Sequence, residues 1–158
     1  MAGAHVRIDN RLVHGQVTVA WTRRLGVRRL IVCNDDVAAD DLQRMLLPQA
    51  ARGLPTDVLS VEDTLADGAG ADVMIIAKNP VDAFRLADGG LRPEVVNVGN
   101  VAPRPGTTYT MVTRSIAVTA DEADAYRKLA ATGIPLLTQL LPGDKPAEFV
   151  PLLDRKGL

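Results

Sequence analysis

His5-Val6-Arg7-Ile8-Asp9-Asn10-Arg11-Leu12-Val13-His14-Gly15-Gln16 starts as a strand, breaks at a polar loop and ends where a helix begins. Residues 5–9 alternate apolar and polar side chains, the period of an extended chain, and residues 15–25 follow a helical period. The same unit recurs outward along the sequence. Further strands are predicted over residues 29–34, 57–60, 73–78 and 95–98, with helices over 39–51, 61–67 and 80–89. Strands alternating with helices give a parallel sheet covered by helices. The prediction is therefore an α/β fold: a single domain over residues 1–158, with an open, mostly parallel twisted sheet and helices on both faces.

Beyond residue 100 the pattern changes. Ala102-Pro103-Arg104-Pro105-Gly106 extends neither a helix nor a central strand and reads as a loop. Residues 108–118 alternate like a strand or hairpin. A helix over 122–131 follows, capped by Thr119 or Asp121 and stopped by Gly133. Residues 134–140 read as a last strand and 146–153 as a terminal helix or turn. No repeat, low-complexity tract or long linker divides the chain.

Composition agrees with this layout and narrows the function. Of the 158 residues, 47% are hydrophobic and only 3% aromatic, so the core must be aliphatic, as in helices packed on a parallel sheet. Lys plus Arg (18) balance Asp plus Glu (19), so no net field draws the chain to nucleic acid or an anionic bilayer. The single Cys33 sits in an apolar run and reads as a buried, inert thiol in a reducing compartment. Nothing near the N-terminus resembles a signal peptide, and no apolar run approaches the roughly 18 residues of a membrane span, so a cytoplasmic location is expected. Two distant histidines and one cysteine offer no zinc spacing, and the glycine-rich nucleotide motifs and the nucleophile elbow are missing. Neither a metal nor an organic cofactor is expected.

Ligands of open parallel sheets collect at the carboxyl ends of the strands. The first such loop holds Asp9, Asn10, Arg11, His14, Gly15 and Gln16. Imidazole is a nitrogen nucleophile that can attack phosphorus near neutral pH and leave again readily. A phosphorylated ring bears negative charge that the Arg11 guanidinium can pair with, while amides at the helix start add hydrogen bonds. Asp9 can hold the ring tautomer or orient Arg11, and the sequence does not separate the two. Lys78 and Asn79 end one strand; Asn97 and Asn100 are read at the end of the next. All four are candidate phosphate or substrate contacts. Trp21 reads as packing, and His5 as structural or solvent-exposed.

The run from Arg7 to Val17 resembles the signature of the IIB component of the mannose/fructose/sorbose family of the sugar phosphotransferase system. Similarity continues at Trp21-Thr22, Asn34-Asp35-Asp36-Val37-Ala38, Lys78-Asn79-Pro80 and Val96-Asn97-Val98-Gly99-Asn100, and covers nearly the whole chain. The resemblance implies that His14 is phosphorylated, at Nδ1, by a phosphorylated IIA component. It then passes the group to a sugar delivered through the IIC and IID membrane components, with Arg11 assisting that transfer. Peripheral association with the membrane through IIC/IID and the open parallel sheet are implied in the same way. Three departures from the family are Asn10 beside Asp9, Asn100 where a glycine is common, and the proline-rich stretch 102–106.

A regulatory module, in which a partner reads the phosphorylation state of His14 without sugar transfer, is the alternative function. A ligand-binding domain indifferent to His14 is a third. Replacing Arg11 by Ala is expected to slow transfer about 10²–10³-fold with stability hardly changed. The sugar and the oligomeric state are open, a homo-oligomer included.

Overall fold

The structure is a computed structural model describing residues 3–158. In chain order its elements are β1 (His5–Asp9), α1 (Gly15–Leu25), β2 (Arg29–Cys33), α2 (Asp35–Ala38), α3 (Asp41–Ala50), β3 (Thr56–Leu59), α4 (Val61–Asp67) and β4 (Val73–Ala77). They continue as α5 (Pro80–Asp88), β5 (Val96–Asn100), β6 (Thr110–Thr113), β7 (Ile116–Val118), α6 (Ala120–Ala131), β8 (Leu136–Thr138), β9 (Ala147–Glu148) and α7 (Val150–Arg155). Among the described residues a seven-stranded sheet runs β3-β2-β4-β1-β5-β8-β9, parallel except for the β8–β9 pair, while β6 and β7 form a separate hairpin. The α/β fold with an open, mostly parallel sheet is thus as expected.

Strand alternation divides the core into two layers. Leu30, Val32, Met74 and Ile76 point to one face and pack with Leu12, Val13 and Trp21 of the β1–α1 segment. Val6, Ile8, Ile31, Ile75, Val96 and Val98 point to the other, against Leu86 of α5, Tyr126 and Leu129 of α6 and Phe149. Both faces are buried, which is why the central strands read as near-continuous aliphatic runs. No helix among the described residues is long and apolar enough to cross a membrane.

Several boundaries differ from expectation, and three differences have a visible physical reason. The single helix predicted over 39–51 is preceded by a separate short one, because two caps compete for the segment. Asn34 Oδ1 accepts the Val37 amide at 2.9 Å and starts α2, and Asp40 accepts the Leu42 and Gln43 amides at 3.0 and 3.2 Å and starts α3. β5 runs to Asn100 instead of stopping at 98, since pairing with β1 continues past a one-residue bulge: Ile8 faces Val98 but Asp9 faces Asn100, leaving Gly99 extra. Residues 147–148 form the antiparallel edge strand β9 before α7 begins. Of the two caps offered for α6, the structure bears out Thr119, in a reciprocal box with Glu122, and Asp121 lies inside the helix.

Candidate functional site

β1 lies in the sheet between β4 and β5, so the loop that follows it emerges at mid-sheet on the carboxyl edge. Its even positions Val6 and Ile8 enter the aliphatic layer, which forces Arg7 and Asp9 onto the α1 side. Both are buried, at 4% and 3% exposure. Asp9 holds Arg11 in a fork: Nε donates to Oδ1 at 3.1 Å, Nη2 to Oδ2 at 2.9 Å, and the Arg11 amide adds a third bond to Oδ1 at 3.0 Å. Of the two arrangements that the sequence leaves open, the structure holds the pairing of Asp9 with Arg11, and no Asp9–His14 bond occurs among the described residues. The fork leaves Arg11 Nη1 without a partner among the described residues, and its side chain remains partly exposed.

Arg7 braces this arrangement from beneath. Its Nε lies 3.8 Å from Asp9 Oδ2, Nη1 donates to the Gln139 carbonyl at 2.9 Å and Nη2 to that of Leu140 at 2.9 Å. Trp21 Nε1 donates to the same Leu140 carbonyl at 2.9 Å, and the guanidinium lies 4.8 Å from the Trp21 ring centre. Burial pushes Arg7 down to about 10, with Asp9 pulling the other way. To reach residues 139–140 the side chain crosses the bulge of β5, where a Cβ on Gly99 would come within 2.1 Å of Arg7 Cζ. Only glycine leaves room there.

His14 sits at the N-cap of α1 and is solvent-exposed. Leu12, at φ 63°, and Val13 bury their side chains in the α1 layer, which anchors the loop and leaves the next residue outside. The imidazole is not spent on capping. Instead the His14 amide donates to Thr18 Oγ1 at 2.8 Å, and its carbonyl accepts from Val17 and Thr18 at 3.1 and 3.3 Å. The first turn of α1 carries no acidic residue, so its positive end is not neutralised by the helix itself. An exposed imidazole at a helix start, three residues along one loop from a carboxylate-held guanidinium, is suited to carrying a dianionic group.

The remaining candidates fall into two groups. Gly15 and Gln16 open α1; Lys78 and Asn79 follow β4, the neighbour of β1, on the same edge, and Asn100 ends β5 there. With Arg104, Thr119 and Glu122, the residues Asn10, Lys78 and Asn79 line a cleft of about 260 Å³. Two of these amides are already occupied. Asn79 Oδ1 caps α5 through the Asp82 amide at 2.9 Å, and Asn10 clasps Ala102 by two bonds of 3.0 and 2.9 Å, fixing the proline-rich loop. Asn97 is the one displaced from its expected place. It lies within β5 opposite Arg7, not at the strand end, and lines a small void with His5, Trp21 and Met74.

Two expectations about the surroundings are also resolved. Trp21 is core packing, and Cys33 is fully buried with its thiol pushed up to about 12, chiefly by that burial. Loss of Arg11 would leave the buried Asp9 carboxylate with Arg7, at 3.8 Å, as the nearest cation, so a stability cost is predicted where the sequence alone suggested little change. Arg7, Thr18 and Gly99 carry no signal strong enough to single them out in advance, though a charge between Val6 and Ile8 in an aliphatic strand is a mark of a built interior site.

The sequence matches the family described as PTS system sorbose subfamily IIB component over residues 4–158. It is 33% identical over 144 residues to the sorbose-specific EIIB component of Klebsiella pneumoniae, covering 87% of each chain. It is 37% identical over 155 residues to the mannose-specific EIIAB component of Escherichia coli strain K12, covering 94% of this chain but only 47% of that one, so it spans about half the length of that relative. The crystal structure of the IIBSor domain of the sorbose permease from Klebsiella pneumoniae superimposes with a TM-score of 0.88 at 30% identity, over 98% of both chains.

Proposed function

We propose, from the premise that this chain belongs to the sorbose subfamily of PTS system IIB components, that His14 carries a phosphoryl group from a phosphorylated IIA component to a sugar. IIB components are phosphotransferases, and that coarse class is the chain's own. The reading of His14 rests on one observation above all: it is an exposed imidazole, free of capping bonds, at the start of α1 and three residues beyond a guanidinium forked onto a buried carboxylate.

Two half-reactions follow. In the first, a His14 ring nitrogen, Nδ1 by family likeness, attacks the phosphorus of the donor phosphohistidine; the donor P–N bond breaks and its electron pair returns to the donor ring, which takes up the proton that His14 gives away. In the second, a sugar hydroxyl oxygen attacks, the P–N bond on His14 breaks, and the hydroxyl proton restores neutral imidazole. Arg11 pairs with the phosphoryl oxygens, held in line by Asp9. The amides of Gly15 and Gln16 add donors, and Lys78 and Asn100 supply further polar contacts on the same edge. Relatives are named for mannose, sorbose, fructose and N-acetylgalactosamine, so the substrate class is a hexose or amino sugar. IIC and IID membrane components would present it, bringing a cytoplasmic carrier to the membrane surface.

The test is labelled phosphate transfer from phosphoenolpyruvate to sugar in membranes holding the cognate IIC and IID. Sugar phosphate should form with this chain and not with His14→Ala. Equal formation with both would refute the reading.

A further inference from the structure

Arg52 lies outside the loop described above, in the turn between α3 and β3. It lines one cleft with Val19, Thr22 and Arg23 of α1, and its Nη2 is 3.7 Å from where a Cβ on Gly15 would stand. The guanidinium therefore lies at the start of that helix, within ordinary van der Waals contact of the Gly15 position. No carboxylate pairs with it among the described residues, and the first turn of α1 holds no acid. Its backbone is at φ 53°, a left-handed conformation that costs a non-glycine residue roughly 1 kcal/mol or more. Glycine would fit that turn better, so local stability does not account for an arginine there.

We propose that Arg52 is a second phosphoryl-binding cation, contacting the oxygens of the group on His14 from the α1 side while Arg11 holds them from the Asp9 side. This rests on the reading of His14 given above. A phosphoryl group brings close to two negative charges next to a helix start, and a guanidinium offers it a planar pair of donors.

Arg52→Gly, Arg52→Ala and Arg52→Lys should be compared with wild type in three measurements: Tm, the affinity for inorganic phosphate from shifts of the His14 ring resonances, and the rate of phosphoryl uptake from phospho-IIA. Arg52→Gly should keep or raise Tm, yet weaken phosphate binding and slow uptake about tenfold. Lys should retain most of both, and Ala should match Gly in function. Unchanged phosphate affinity and uptake in Arg52→Gly would overturn the proposal, as would losses that track a lowered Tm. Failure of wild type to accept a phosphoryl group from an active donor would instead refute the carrier reading of His14, and phosphate binding that still depends on Arg52 would then uphold the anion contact alone.

Discussion

Asp9 is the residue on which the site turns, because burying a carboxylate to 3% exposure is costly unless its oxygens stay paired. Arg11→Ala should therefore lower stability by about 1–3 kcal/mol in urea denaturation, and Arg11→Lys by less. In kinetics, Arg11→Ala should slow transfer to sugar about 10²–10³-fold while slowing phosphoryl uptake by His14 much less. Equal losses in the two half-reactions would contradict that role. Gly99 is the companion constraint. A Cβ there meets Arg7 Cζ at 2.1 Å, so Gly99→Ala should cost about 2–3 kcal/mol, and much less in an Arg7→Met background where the obstacle is flexible and uncharged. A similar cost in both backgrounds would show that the backbone, not Arg7, sets the requirement. Of these residues the sequence displayed Asp9, Arg11 and His14 because they share one loop. Arg7 stayed hidden because its partners Gln139 and Leu140 lie 132 and 133 positions away.

At the scale of elements, capping decided what periodicity did not. Helices α1 and α4 were read with the bounds they have, since a single signal marks each end, whereas the Asn34 cap starts a short helix ahead of the predicted one, which begins after its own cap, Asp40. The Asn34 cap also reaches across to α5, its Nδ2 donating to Asp82 Oδ2 at 2.8 Å. Burial raises the Asp82 carboxyl above its ordinary range, and the Asn34 bond only partly offsets this. The native state thus holds that proton more tightly than the unfolded chain. Its contribution to stability is present at acid pH and is lost as pH rises through the carboxylate range. Asp82→Asn keeps the acceptor and removes the charge, so it should raise stability at pH 7 by up to about 1 kcal/mol, with the gain vanishing near pH 3. Thermal melts across that range check it; a gain that grows toward acid pH would reverse the assignment.

Across the whole molecule, the order of strands explains why one loop gathers the chemistry. β1 is flanked by β4 and β5, so the loops after all three open on one edge, and Lys78, Asn79 and Asn100 arrive beside the His14 loop from distant parts of the sequence. Composition and the alternation of strands with helices made the parallel sheet legible, but not which strands would be neighbours, because pairing order leaves no local trace. Asn97 shows the limit: a strand that ends two residues later than expected moved it from the edge into the sheet. Arg52 shows another, since it follows α3 in the chain and yet its guanidinium lies at the start of α1, beside Gly15.

The central claim concerns His14, and intact-mass spectrometry tests it most directly. Incubated with phosphoenolpyruvate, the general phosphotransferase proteins and an active IIA component, the chain should gain a single acid-labile phosphoryl group, and His14→Ala should gain none. No gain by the wild-type chain, or an equal gain by the variant, would contradict the account.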